Sequence, residues 1–192
     1  MKPKYYTLED LVGMIGEPSR KICQHILKDN IILFKTVQGS SHNHQAWPGG
    51  YFDHIQEVMN VGLVLFNQLS SIRPLPFSLS DVMLILFLHD IEKPWKYEFI
   101  DGLPQIKPDL KDKVAQREFR NKKLKEYGIE LTLDQEIGMK YVEGESNDYT
   151  PGKRSMNPLA AICHAADVIS ARIWFDYPAL NDSWNGAKRS DN

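Results

Sequence analysis

The chain has 192 residues, 42% of them hydrophobic and 25% charged, with a formal net charge of -2. This is the composition of a soluble globular protein long enough to bury a substantial core, and it gives no global electrostatic pull toward nucleic acid or a membrane. Two cysteines, Cys23 and Cys163, exclude a disulfide framework or zinc ribbon, and no apolar run reaches transmembrane length.

Without a signal-like N-terminus, a cytoplasmic location is expected. Residues 7–34 carry helical signals in two parts. Thr7 with Asp10 forms a loose capping box before Leu11, Val12 and Met14. A second helix starts near Ser19 and places Ile22, Cys23, Ile26, Ile31, Ile32 and Phe34 toward a core. A polar loop, Gln38 to Gly50, follows and ends in Pro48-Gly49-Gly50, strong turn punctuation. Tyr51 to Leu69 then shows helical periodicity, with His54 in its first turns. Pro74 and Pro76 break the chain, and Ser78 or Ser80 can cap a helix that runs to His89.

That helix holds the most informative stretch. The apolar run Leu84-Ile85-Leu86-Phe87-Leu88 delivers an adjacent His89 and Asp90, and Pro94 stops the segment soon afterwards. A buried helix has no structural need to end on two groups that are costly to desolvate. A divalent metal ion would partner both, since imidazole nitrogen and carboxylate oxygen are ordinary ligands. Beyond it, Trp95 to Ile106 reads as a short β-hairpin around Asp101-Gly102. Asp109 to Tyr127 is a highly charged helix, either a solvated face or a basic lip over a phosphate site. Thr132 and Gln135 cap a helix to about Glu143, and a loop continues to Asn157. The last long helix, Pro158 to Phe175, buries an Asp167 within an Ala/Val/Ile run. The tail after Pro178 is poor in apolar residues, so residues 181–192 are expected to be partly disordered.

His54, His89-Asp90 and Asp167, in that order, resemble the pattern of the HD-domain superfamily of metal-dependent phosphohydrolases, over about Trp47 to Arg172. The segment His44 to His54 is similar to the corresponding part of bacterial 3′–5′ exoribonucleases that carry an HD domain. His89-Asp90-Ile91-Glu92-Lys93 and Ile162 to Asp167 with Ala171-Arg172 look like two of their further motifs. Glu92 stands where those proteins have a small residue, and their paired middle histidines are missing, since only His164 lies between Asp90 and Asp167. The remaining set resembles HD nucleotidases and deoxynucleoside triphosphate triphosphohydrolases, with compact phage-type enzymes that remove dATP nearest in size.

The resemblance implies an all-α helical bundle, one HD domain over residues 1–180, with a small β-hairpin after the His-Asp motif. It implies one divalent metal (Mn, Co, Fe, Zn or Mg) on His54, His89, Asp90 and Asp167, with additional Mg accompanying substrate phosphates. Around that site Lys93 is a phosphate contact or a cap for the preceding helix. Glu92 and Glu57 are candidates for proton transfer or for orienting a ligand histidine, Glu57 being equally suited to a structural hydrogen bond. His42 and His44 are placed to protonate a leaving group. Trp47 is a packing residue or a base-stacking platform. Arg172 binds phosphate or pairs with an acid, and His164 reads as a core or supporting histidine. The expected partner is a small-molecule nucleotide, a dNTP above all, with a homo-oligomer left open. The rivals are a 3′–5′ exonuclease on short single strands and a non-hydrolytic nucleotide- or metal-binding module.

Overall fold

The computed structural model describes residues 3–40, 43–100 and 103–190. Helix α3 (Gly50–Ile72) is its axle: every residue from Gly50 to Leu63 is buried. A helix covered on all sides must satisfy its polar side chains internally. Gln56 does so by accepting from the Leu8 N–H at 2.8 Å. Asn60 brackets the Tyr6 backbone, accepting from its N–H at 2.8 Å and donating to its carbonyl at 2.9 Å. These bonds dock the N-terminal segment and α1 (Leu8–Val12) on α3; α2 (Ser19–Phe34) follows.

Helix α4 (Leu79–Leu88) packs alongside α3 and is buried from Val82 to Leu88. Its start is fixed by reciprocal bonds between Ser78 and Asp81. The two helices pack tightly at Gly62, where a Cβ would lie 2.4 Å from a Leu86 methyl; glycine permits that approach. Helix α7 (Leu133–Tyr141) begins at the Thr132–Gln135 capping box, and Gln135 also donates to Asp81 on α4 at 2.8 Å. Helix α8 (Pro158–Val168), capped by Asn157, crosses α3, α4 and α7. His54, His89 and Asp167 therefore come from three helices that share one core.

The all-α expectation and its hairpin are borne out, with strands β1 (Tyr97–Ile100) and β2 (Leu103–Ile106) pairing antiparallel, Tyr97 opposite Ile106. The Asp101-Gly102 turn lies outside the described residues. Three boundaries differ from expectation. Pro94 does not stop the chain but opens a short helix, α5 (Lys93–Lys96), so Trp95 is helical. The charged helix α6 runs Lys113–Tyr127 because Asp112 accepts from the Val114 and Ala115 N–H groups; Pro108–Leu110 before it is a 3₁₀ turn. The final helix turns into a π-helical segment at Ile169–Ile173. Beyond Pro178 the chain returns across α3. Trp184 packs edge-on against Tyr5 and Trp174, and Ser190 binds Asp53 through its N–H and hydroxyl. Among the described residues no helix is long and apolar enough to cross a membrane.

Candidate metal centre

His54 from α3, His89 at the C-cap of α4 and Asp167 from α8 each offer a ligand atom, all within 4.8 Å of one another. His54 Nε2 lies 3.3 Å from Asp167 Oδ1, and His89 Nε2 lies 3.8 Å from the same oxygen. Asp90 completes the arrangement: its Oδ2 is 3.2 Å from His89 Nε2 and 3.7 Å from His54 Nε2. Two ligands held about 2.0–2.2 Å from one ion stand roughly 3–3.5 Å apart, so these spacings are on the scale of a coordination shell.

The proton positions also fit. His89 Nδ1 faces the Leu86 carbonyl at 2.8 Å, and a carbonyl can only accept, so Nδ1 carries the hydrogen. In the neutral ring the lone pair is then on Nε2. Among the described residues the fully buried Nε2 atoms of both His54 and His89 lack a well-formed hydrogen bond, with the Asp167 and Asp90 oxygens 3.3 and 3.2 Å away. Two imidazole nitrogens left so at the centre of a core are costly unless something else meets them. A divalent cation bound by His54, His89 and Asp167 is the group this donor set suits.

Electrostatics divide the two histidines. Burial holds His54 below its ordinary value despite Asp167 beside it. Burial also opposes the charge on His89, but Asp90 and Asp167 overcome it and push that imidazole up to about 9. Asp90 itself is buried, which would raise it, yet Lys93 and the two histidines hold it well below the carboxylate range. Lys93 Nζ sits 2.5 Å from Asp90 Oδ2. In this state it neutralises Asp90.

Behind the cluster, Glu92 and Arg120 form a second buried pair. Arg120, from α6, donates through Nη1 to the His89 carbonyl and approaches Glu92 Oε2 at 3.7 Å. Burial pushes the Glu92 carboxyl up to about 7 against the pull of Arg120. Arg120 therefore departs from the reading of α6 as a solvated face: it is 7% exposed and holds the backbone of a candidate ligand. Its charged neighbours hid it, since nothing but its position on the helix face separates it from Arg117 or Lys122.

The loop before α3 contributes through Gln45, a neutral amide that no titratable or ligand-type signal marks. Gln45 is fully buried and adopts φ +39°. Its amide nitrogen lies 3.2 Å from the Trp174 carbonyl and 3.0 Å from the Tyr177 carbonyl, so the NH₂ group must face them. Its oxygen then faces His44 Nδ1 at 2.8 Å, which fixes the hydrogen there and leaves His44 Nε2 an acceptor. The His44 ring lies 4.7 Å from the His54 ring, and burial, with His54 and Lys93 nearby, pushes it down to about 4. At neutral pH His44 is thus an acceptor rather than a proton donor. Gln45 Nε2 also lies 3.4 Å from Ser170 Oγ, which stands 3.3 Å from His54 Nδ1. Ser170 sits in the π-helical segment, which brings its hydroxyl to the Nδ1 edge of the His54 ring. Gly50 makes room for this loop, because a Cβ there would fall 1.8 Å from the Gln45 carbonyl oxygen.

Other candidates lie elsewhere. Glu57 is 2% exposed and meets Tyr5, Asp182 and Asp53; burial pushes it up to about 7. It belongs to the seam between α3 and the chain termini. The Trp47 indole donates to Asp53 at 2.8 Å, and the Arg189 guanidinium covers its ring at 3.7 Å. Arg172 is exposed on the π-helical segment. His164 Nδ1 bonds the Val142 carbonyl at 2.8 Å, a supporting role. His42 lies outside the described residues. Burial pushes both cysteine thiols up, so neither is poised as a nucleophile. Compared with protein-family models, curated proteins and solved structures, the chain matches none.

Proposed function

We propose that this chain is an HD-type, divalent-metal-dependent phosphohydrolase acting on nucleotides, with a dATP-like deoxynucleoside triphosphate as preferred substrate. The observation that carries the reading is the pair of fully buried Nε2 atoms of His54 and His89, without a well-formed hydrogen bond among the described residues and facing the carboxylates of Asp90 and Asp167. Asp90 is the fourth ligand in this reading. Bound there, a divalent ion supplies Lewis-acid polarisation of a phosphoryl oxygen and lowers the pKa of water. The chain's own groups do the rest. Lys93, beside the cluster, would offer a cation to a phosphate oxygen, with Asp90 among the residues that would hold the ion. His44 Nε2 accepts a hydrogen bond and orients its donor. Arg120 and Glu92 hold the His89 backbone in place from behind.

The test compares kcat/KM for dATP, dGTP and a short single-stranded oligonucleotide, at two salt concentrations, with Mn²⁺, Co²⁺, Zn²⁺ and Mg²⁺ in turn. Metal-dependent release of phosphate from dNTPs, weakly sensitive to salt and abolished in Asp167→Asn, is the expected result. Faster and strongly salt-sensitive cleavage of the oligonucleotide makes the protein an exonuclease instead. Metal and nucleotide binding without turnover would make it a binding module.

A further inference from the structure

Helix α6 brings three cations to one hollow beside α7: Arg117 and Arg120, a turn apart, and Lys125 near its C-terminal end, with Lys140 added from α7. Between the helices lies a cavity of about 400 Å³ that all four line, a volume in the range of small-molecule sites. Glu136 is the acidic residue among the lining groups. Lys140 is matched by Asp148 at 2.7 Å and Arg120 loosely by Glu92 at 3.7 Å. Arg117 and Lys125 have no ion pair among the described residues. Arg120 is the telling member: it is nine-tenths buried, yet among the described residues only its Nη1 meets a protein acceptor. A guanidinium carries five N–H donors, so an inward-facing arginine with donors to spare has a built place for an anion. The cavity also has an apolar floor of Leu124, Ile129 and Met139.

We propose that this cavity is a second binding site, for a nucleotide. The phosphates meet Arg117, Arg120, Lys125 and Lys140, and the base lies on the Leu124–Ile129–Met139 floor. The His54–His89–Asp167 cluster does not line it. Arg120 links the two sites, since its Nη1 holds the His89 carbonyl. An occupant that draws Arg120 toward its phosphate therefore acts on the backbone of a metal-ligand histidine, which makes the site regulatory. This inference stands apart from hydrolysis at the cluster, because it rests on residues the cluster does not use.

Isothermal titration with dATP, with inorganic pyrophosphate and with a short oligonucleotide, on the full chain in excess EDTA, tests it without the metal centre contributing. Saturable binding of dATP is expected, with pyrophosphate weaker. Arg117→Ala/Lys125→Ala should weaken dATP binding at least tenfold while thermal stability and Mn²⁺ uptake stay unchanged, because both side chains are exposed on α6. Arg117→Glu alone, a charge reversal at an exposed position, should weaken it further than Arg117→Ala. No dATP binding in EDTA, or equal binding by the variants, overturns the proposal. Tighter binding of the oligonucleotide than of dATP also overturns it, in favour of a nucleic-acid surface.

Discussion

His44 donates its Nδ1 hydrogen to the side-chain carbonyl of Gln45 at 2.8 Å, and that single bond settles which ring nitrogen is bare. Imidazole ¹⁵N shifts should report His44 as the Nδ1–H tautomer in the native protein. Gln45→Leu removes the amide donor that the Tyr177 carbonyl uses. An unsatisfied buried carbonyl costs roughly 1–3 kcal/mol, and urea unfolding should show a loss of that order. A His44 ring protonated on Nε2 instead would overturn the assignment.

Metal binding should expel a proton. In the metal-free protein the carboxylates beside His89 hold it charged up to about pH 9, whereas its unfolded value is 6.5. Its contribution to folding is therefore fully present below about pH 6.5 and is lost as pH rises toward 9. A metal needs the neutral ring. Apparent Mn²⁺ or Zn²⁺ affinity should rise about tenfold per pH unit between 7 and 9, one proton leaving per ion. Calorimetry in two buffers of different ionisation heat counts that proton; heats independent of buffer would rule it out.

Glu57 carries a pH dependence of opposite origin. Burial raises its carboxyl to about 7 from 4.5. A raised folded-state value means the stabilising contribution is fully present below pH 4.5 and disappears as pH climbs through about 7. Glu57→Gln should flatten the Tm profile over that window and leave the variant more stable than the parent at pH 8. Loss of metal uptake in Glu57→Gln would instead return Glu57 to the His/Asp site.

Lys93→Met separates charge balance from turnover. With its partner cation gone, Asp90 faces a metal with one less positive charge nearby, so Mn²⁺ should bind as tightly or more tightly. Nucleotide hydrolysis should fall on the order of a hundredfold, the usual loss when one preorganised cation or donor is removed. Equal losses of metal, stability and activity would mark Lys93 as a structural residue only.

The helices and the ligand-type residues were legible because each leaves a local signal. Ser78–Asp81 and Thr132–Gln135 announce helix starts through spacing alone, and both caps form. His89 and Asp90 stand out after five apolar residues because burial makes them expensive. What the sequence hid depends on direction. Glu57 and His54 are three apart on a helix that is covered on every side, so spacing could not say that one faces the cluster and the other Tyr5. Arg120 looks like its exposed neighbours until α6 is set against His89. Gln45 acts through bonds to residues about 130 positions away, which no local pattern encodes.

The π-helical segment at Ile169–Ile173 can also be viewed as an insertion of one residue into α8. Deleting Ala171 would let the backbone close into an ordinary α-helix, with better-formed bonds and a gain in local order. The same deletion would rotate everything after it by about a third of a turn. The Trp174 and Tyr177 carbonyls would leave Gln45, and the Gln45 amide that faces His44 would lose its anchor. A more regular helix and an anchored Gln45 are therefore alternatives for this chain, and a selection for thermal stability alone would erase the irregularity that sets the Trp174 and Tyr177 carbonyls against that amide.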